Sequence, residues 1–208
     1  MQEDAYKKLA RKYDRQVEPA ASRLRQAGLR ICPPKDNERI LDVGCGTGSQ
    51  LAAYLRPGCK LTGIDVSPAM LEMARLKLGT NAELLLESGA KMSFADCVFD
   101  LVTVVLALHE MASEIRLQVL KECRRVLKPD GRILLVDFHY GPYPFPMGWI
   151  WKLFVLFMEA GAGREHFAHY TDFISRRGLD SLVKELGLSI QKRWVAPNGN
   201  AAIYLLSR

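Results

Sequence analysis

Several features that define whole classes of protein are missing from this chain of 208 residues. Its five cysteines are odd in number and never form a C-x-x-C pair, which argues against a disulfide framework and against a cysteine zinc site. No apolar run reaches the roughly 20 residues that span a bilayer. The charged N-terminus has no apolar segment behind it, and no Pro/Gly/Ser-rich linker or internal repeat is evident. We therefore expect one cytoplasmic domain without a signal peptide.

The excess of basic over acidic residues is modest and gives a formal net charge of +6. The lysines and arginines are scattered in a way that is typical of solvated helix faces, and they do not alternate with aromatic residues as in a nucleic-acid groove. We expect no nucleic-acid partner. An anionic membrane surface or an acidic small substrate fits the charge better.

The most informative segment runs from Arg39 to Ser67 and contains R-I-L-D-V-G-C-G-T-G and L-T-G-I-D-V-S. One apolar run ends at Asp42 before a glycine-rich turn, and a second apolar run ends at Asp65. In an open α/β sheet, ligands bind at the ends of such strands. The segment therefore predicts the nucleoside-binding half of such a sheet.

Two positions indicate which nucleoside. Ser49 stands where a dinucleotide-binding turn has its third glycine. Asp42 would repel a pyrophosphate on the turn by roughly 4 kcal/mol at 4 Å and an effective dielectric near 20. An ammonium and a sulfonium would instead be attracted, which favours S-adenosylmethionine, and Asp65 has the spacing for the ribose hydroxyls. The alternatives are a turn acid at Asp42 and, at Asp65, an N-cap for the helix that Pro68 opens.

Five motifs in this order resemble the class I S-adenosylmethionine-dependent methyltransferases: I-L-D-V-G-C-G-T-G, G-I-D-V-S, M-S-F-A-D-C-V-F-D-L-V, L-H-E-M and R-R-V-L-K-P-D-G-R-I-L-L-V-D. They are most similar to the small-molecule branch that includes the ubiquinone and menaquinone C-methyltransferases. The resemblance covers roughly residues 6–138 and fades beyond them. It is specific for the cofactor and says much less about the methyl acceptor.

The resemblance implies S-adenosyl-L-methionine as cofactor and S-adenosyl-L-homocysteine as product. It departs from the family at Gly89, where relatives usually carry an acid that meets the adenine amine; Glu87 or Ser88 are candidates to replace it. The cofactor-binding residues that we predict are Tyr13, Asp42, Gly44, Cys45, Gly46, Gly48, Asp65, Val66, Met70, Gly89, Ala90 and Leu106. Cys45 is interpreted as a compact residue beside the ligand, and Met70 either packs against adenine or belongs to the core.

The coarse pattern alternates strands with helical segments, which predicts a Rossmann-like, doubly wound parallel sheet. Strands are expected at Ile40–Val43, Lys60–Asp65, Ala82–Glu87, Asp100–Leu106 and Arg132–Phe138, and two last runs flank the tight-turn pair Asn198-Gly199. The resemblance implies seven strands with an antiparallel last strand. As parts of one domain we expect an N-terminal helical cap (1–34) over the cofactor end of the sheet, a cofactor-binding core (35–139), a helical insertion or acceptor lid (140–187) and a C-terminal hairpin (188–208).

Candidates for the acceptor side follow the fourth and fifth strands. His109 is the first candidate to orient the acceptor or take its proton, and His139 and Tyr140 occupy a comparable edge. A general base is optional for enolate, phenolate or amine acceptors. His166 and His169 are spaced to share a helix face, but no third ligand with suitable spacing is evident, so no metal site is expected.

The segment Trp149–Met158 is apolar nearly all round, apart from Lys152, and Glu159 follows it directly. It must be buried, cover an apolar substrate, form a homodimer or lie in a membrane interface. The sequence thus predicts a methyltransferase for a small, hydrophobic or quinone-like acceptor, cytoplasmic and in peripheral membrane contact through 149–158. Two alternatives stay open: an enzyme like the aminopropyl transferases, and a non-catalytic protein that binds the cofactor.

Overall fold

The computed structural model describes Ala10 and residues 18–208. Tyr13 lies outside the described residues, as does the first half of the expected N-terminal helical cap apart from Ala10. The strands are β1 (Arg39–Val43), β2 (Lys60–Asp65), β3 (Ala82–Leu86), β4 (Phe99–Val105), β5 (Leu127–Phe138), β6 (Ser189–Val195) and β7 (Ala201–Ser207). The helices are α1 (Glu18–Ile31), α2 (Ser49–Ala53), α3 (Pro68–Leu78), α4 (Ser113–Val126), α5 (Met147–Gly161), α6 (Arg164–Ser175) and α7 (Leu179–Glu185).

All seven strands form one sheet in the order β3-β2-β1-β4-β5-β7-β6. The first five strands are parallel, β7 is antiparallel to β5, and β6 pairs antiparallel with β7. The order reverses between β1 and β4, and in open α/β sheets ligands bind at that switch point, beyond the carboxyl ends of the strands. The predicted Rossmann-like sheet with an antiparallel last strand is confirmed.

Alternate residues of each strand feed two hydrophobic clusters, one on each face of the sheet. Leu41 and Val102 pack with α4 and α7, whereas Ile40 and Leu101 belong to the cluster on the side of α1 to α3. Strands covered on both faces read as continuous apolar runs, which explains why these segments stand out in the sequence.

The residues Pro129-Asp130-Gly131 lie inside β5. Phe99 pairs with Leu127 and Leu101 pairs with Arg132, so the intervening residues bulge out of the ladder. The helix α1 packs on a face of the sheet, on the side of α2 and α3. A Cβ atom at Gly28 would come within 3.3 Å of Leu134 on β5, so the missing side chain permits this close packing.

Candidate active site

A glycine turn connects β1 to α2 at the switch point of the sheet. The backbone N–H groups of Gly44 and Cys45 both donate to the carbonyl of Ile64 on β2, at 2.9 and 3.0 Å. Gly46 has a φ of +52°, and a Cβ atom there would meet nothing within 4 Å. The turn is thus tied to β2 and leaves open space above Gly46, which is the cradle that a nucleoside cofactor needs.

The serine that replaces the third glycine has a structural partner. Ser49 Oγ accepts a hydrogen bond from Lys77 Nζ at 2.6 Å, which links α2 to the end of α3. Gly48 is the position where a side chain would not fit, since a Cβ there would lie 2.8 Å from Leu78 Cδ1. The departure from the dinucleotide pattern therefore accompanies close packing of α2 against α3.

Asp65 bridges the glycine turn and the start of α3. Its Oδ2 accepts from Gly46 N at 2.8 Å, and its Oδ1 accepts from Ser67 N at 2.9 Å. The N-cap of α3 is Ser67, whose Oγ accepts from Met70 N, so the capping role considered for Asp65 falls to its neighbour. Asp65 thus ties the glycine turn to the start of α3 at the end of β2, where its spacing from the turn predicts the ribose to lie.

Asp42 is buried at the centre of the sheet. Its carboxylate accepts from Thr103 Oγ1 at 2.5 Å, and only 2% of the residue is exposed. Burial raises the pKa of Asp42 to about 7, and the Asp65 charge adds to this, while the Thr103 hydrogen bond and the charge of Arg25 oppose it. Asp42 was expected to be an ionised group facing the ligand, whereas it is a buried acid whose pKa is raised towards neutrality.

The other predicted cofactor residues differ in how much surface they offer. Val66 is two-thirds exposed beside Asp65, whereas Met70 is buried and presents little surface to a ligand. Burial raises the pKa of the Cys45 thiol, which keeps it neutral and agrees with a packing role. Leu106 directly follows β4 with a φ of +54°, a strained conformation for leucine at the edge where ligands bind.

The adenine end of the site explains the absent acid. A Cβ atom at Gly89 would lie 2.5 Å from Val43 Cγ1, so packing against β1 excludes a side chain there. Glu87 supplies a carboxylate two residues earlier: its Oε1 accepts from Ser93 N, and its Oε2 is buried without a hydrogen-bond partner among the described residues. Ala90 N donates to Ser88 Oγ at 3.3 Å. An orphaned acceptor at the end of β3 fits the amine of an adenine.

His109 occupies the 3-10 turn after β4 and is 3% exposed. Its Nδ1 lies 2.7 Å from Asp137 Oδ1, and Asp137 Oδ2 accepts from the backbone N–H groups of Leu108 and His109. Burial alone would lower the pKa of His109, but the carboxylates of Asp137, Glu110 and Glu159 outweigh it and raise the pKa to about 9.

His139 and Tyr140 face away from His109, towards the β6–β7 hairpin. They line a cavity of about 520 Å³ together with Arg177 and Arg193. His139 Nδ1 accepts from Gly141 N at 3.1 Å, and its Nε2 lies 3.2 Å from Arg193 Nη2. Burial and the Arg193 charge lower the pKa of His139. Tyr140 OH donates to Asp180 Oδ2 at 2.6 Å. The structure thus separates the three catalytic candidates into two environments.

The helix α5 is amphipathic with its polar side turned inwards. Lys152 Nζ donates to Tyr170 OH at 2.6 Å, and Glu159 Oε2 lies 2.8 Å from His166 Nε2. These two polar side chains, seven residues apart, lie on the face that contacts α6. The outward face is apolar, with exposed side chains at Met147, Trp149, Ile150, Trp151, Leu153, Phe154, Phe157 and Met158.

Three structurally important residues were missed by the sequence analysis: Asp137, Glu159 and Arg116. Arg116 is 2% exposed and joins the turn after β4 to α6, through Leu108 O at 2.9 Å and Asp172 Oδ2 at 2.7 Å. Asp137 could have been predicted from the sequence, because an acid near the end of a buried strand lies where ligands bind. Nothing in the sequence singles out Glu159 and Arg116, since charged residues on helices are usually solvated.

No described helix has the length and apolar character needed to cross a membrane. The exposed apolar side chains of α5 show that burial in the fold, one of the alternatives considered for residues 149–158, does not apply to this face.

A seven-stranded sheet of this order, an open glycine turn after β1 and an acid at the end of β2 define a class I S-adenosylmethionine-binding domain. Residues 41–135 match the methyltransferase domain family. A Synechocystis protein described as an uncharacterized methyltransferase is 31% identical over 185 residues, which cover 87% of this chain and 81% of that protein. The chain belongs to the S-adenosylmethionine-dependent methyltransferase family, and S-adenosylmethionine is the family's cofactor.

Other relatives show how far this likeness extends. A demethylmenaquinone methyltransferase of Tropheryma whipplei is 35% identical over 119 residues, which cover 56% of this chain. The matched part is about half (48%) of that protein's length. A Burkholderia thailandensis 1,6-didemethyltoxoflavin-N1-methyltransferase, solved with S-adenosylhomocysteine bound, has a TM-score of 0.66 at 16% identity and covers 95% of this chain and 84% of its own. That structure supports the fold.

Proposed function

We propose that this protein transfers the methyl group of S-adenosylmethionine to a small, lipophilic, quinone-like acceptor. The observation that carries the proposal is the inverted polarity of α5, which presents an apolar face to the outside beside the edge of the sheet where ligands bind. The names of the menaquinone-pathway relatives agree with a lipophilic acceptor.

Methyl transfer needs alignment more than it needs a base. The bound cofactor supplies an electrophilic methyl group whose sulfonium charge is lost in the reaction. In this proposal the glycine turn and Asp65 hold the nucleoside. The strained Leu106 follows the carboxyl end of β4, next to the space where the methyl group and the acceptor would meet. Holding the acceptor in line and excluding water supply most of the rate enhancement.

For His109 we propose a role in orienting the acceptor, because it lies in the turn after β4, at the edge where ligands bind, and Asp137 holds its ring in place. His139 and Tyr140 are proposed to line the entrance through which the acceptor reaches the site. Both ring nitrogens of His139 already have partners within 3.2 Å, which leaves it poorly placed to remove a proton.

The test compares two demethylated quinols, one with a long isoprenoid tail and one without a tail, and measures S-adenosylhomocysteine formation. We expect turnover to favour the long tail. Replacing Trp151 and Phe154 by Ser is expected to raise KM for the long-tailed quinol with little change for the other. Leu76→Ser is the matched control, because Leu76 is an exposed apolar residue on α3.

A protein that binds S-adenosylhomocysteine in calorimetry but forms none from any acceptor would contradict methyl transfer and favour the non-catalytic alternative. Equal KM changes in the α5 and Leu76 variants would contradict the acceptor role of α5.

We further propose that the outward face of α5 contacts the membrane in which such an acceptor dissolves. Trp and Phe are favoured at membrane interfaces. The protein should float with lipid vesicles, and the Trp151→Ser/Phe154→Ser variant should not. A concentration-dependent dimer that the same substitutions dissociate would assign the face to a homodimer instead.

A further inference from the structure

A cluster of metal-ligating side chains lies on the acceptor side of the sheet. His109 comes from the turn after β4, Glu159 from the end of α5 and His166 from the first half of α6. One ligand atom from each residue lies within 4.8 Å of the other two. The Glu159 Oε2 atom is 2.8 Å from His166 Nε2 and 3.9 Å from His109 Nε2. Three elements remote in sequence thus converge on one point.

The spacing of the three atoms suits a small ion. Zinc binds His nitrogen and carboxylate oxygen at about 2.0–2.2 Å, so two ligands of a tetrahedral ion lie roughly 3.3 Å apart. The two Glu159 distances lie on either side of that value and differ from it by about half an ångström. The third pair of ligand atoms, on His109 and His166, lies within 4.8 Å. Two His and one Glu are also a ligand set found in catalytic zinc sites.

The surroundings hold the first ligand in a metal-binding orientation. Asp137 Oδ1 engages His109 Nδ1 at 2.7 Å, which directs Nε2 towards Glu159. A carboxylate on the far nitrogen is the usual partner of a metal-bound histidine. Arg116 fixes the backbone on both sides of the cluster through the carbonyls of Leu108 and His169. The site is therefore built before any ion arrives.

The burial of these side chains favours a bound metal cation between them over the kind of ion pair found on protein surfaces. His109 and Glu159 are 3% and 8% exposed. The nearby Lys152 Nζ donates its hydrogen bond to Tyr170 OH and not to Glu159. Buried charges are costly unless they are paired or bind a metal. The carboxylates of Asp137, Glu110 and Glu159 surround the two rings, and a divalent ion would compensate their charge more fully than two histidines.

We propose that His109, Glu159 and His166 form a binding site for a divalent first-row transition-metal ion, with Zn²⁺ the ion that fits best. The ion would tie the turn after β4 to α5 and α6, the elements that enclose the acceptor side, and would keep a fourth position for water or an acceptor oxygen. The inference goes beyond the proposed function and does not depend on it.

The experiment titrates Zn²⁺ alone into metal-stripped full-length protein and follows binding by calorimetry, with elemental analysis for stoichiometry. We expect one ion per chain. Loss of an outer carboxylate partner typically costs 10–100-fold in affinity, so loss of a direct ligand in His166→Ala should weaken binding by more than about 100-fold. His169→Ala is the matched control, because His169 is on the same helix and pairs only loosely with Glu165, at 3.8 Å.

A second variant guards against loss of folding. Glu159→Gln keeps the shape of the side chain but removes the charge, and should also weaken Zn²⁺ binding while circular dichroism shows an unchanged fold. Co²⁺ should give a visible spectrum of tetrahedral type with nitrogen and oxygen ligands in the wild type and in His169→Ala, and not in His166→Ala. Wild-type protein that binds no Zn²⁺ at micromolar concentration, or equal weakening in His166→Ala and His169→Ala, would overturn the proposal.

Discussion

The edge proposed for the methyl donor and the edge proposed for the acceptor lie side by side on one sheet but are built differently. At the donor edge, β1, the glycine turn and β2 follow one another in the chain, and the contacts that matter involve backbone N–H groups, as between Gly46 and Asp65. At the acceptor edge, His109, Glu159 and His166 come from separate elements and meet only through side chains.

This difference explains why the two halves of the site are not equally easy to predict from the sequence. Backbone geometry is dictated locally by glycines and strand ends, so a short motif carries it. Side-chain convergence depends on how α5 and α6 pack against the sheet, and no local pattern encodes that packing. Three predictions about the donor edge sharpen this contrast.

The largest effect is expected at Asp65. Replacement by Ala removes the acceptor for Gly46 N and Ser67 N together with the proposed ribose contacts. Bonds to a charged group contribute about 1.5–3 kcal/mol each, so cofactor binding should weaken by roughly 3 kcal/mol or more. Calorimetry with S-adenosylhomocysteine measures this, and Asp65→Asn should fall between Ala and wild type. An unchanged dissociation constant would show that the donor edge does not depend on this acid.

An intermediate effect concerns Asp42 and pH. Because burial raises its pKa to about 7, the folded protein binds a proton that the unfolded chain has already released above about pH 4. The free energy of unfolding of the cofactor-free protein should therefore fall as pH rises from 5 to 7. At no more than 1.36 kcal/mol per pH unit, the loss is about 2 kcal/mol.

The control for this pH effect is Asp42→Asn, which keeps an oxygen to accept from Thr103 and cannot ionise. Denaturant unfolding of both proteins at several pH values isolates the contribution of Asp42. If the two proteins change with pH in parallel, the buried acid is not the group responsible.

The smallest effect is expected at Gly89. A Cβ at this position would lie 2.5 Å from Val43 Cγ1, and overpacking of this kind costs about 1–3 kcal/mol, so Gly89→Ala should lower stability by roughly 1 kcal/mol. In the double variant with Val43→Ala, thermal unfolding should reveal a cost smaller than the sum of the single costs. Strict additivity would mean that some other constraint keeps glycine at the end of β3.

Prediction from sequence was most successful where a residue type or an apolar run indicates one local structure, such as a turn or a strand. The glycine-rich turn follows β1 as expected, and β2 has the bounds that its apolar run indicated. It was least successful for charged residues in helices: Lys152 and Glu159 read as interruptions of an apolar surface, yet they form the inward face of α5. A polar residue on a helix has no intrinsic direction until its neighbours are known.

The sequence by itself determined the sheet, the glycine turn and the cofactor class, because strand ends, positive φ and the acid Asp65 are properties of a short contiguous segment. Only the tertiary structure decided that Asp42 is buried beside Thr103, that Val43 leaves no room for an acid at Gly89, and that His109, Glu159 and His166 meet. Those outcomes depend on distances between elements that packing fixes, and packing is a property of the whole chain.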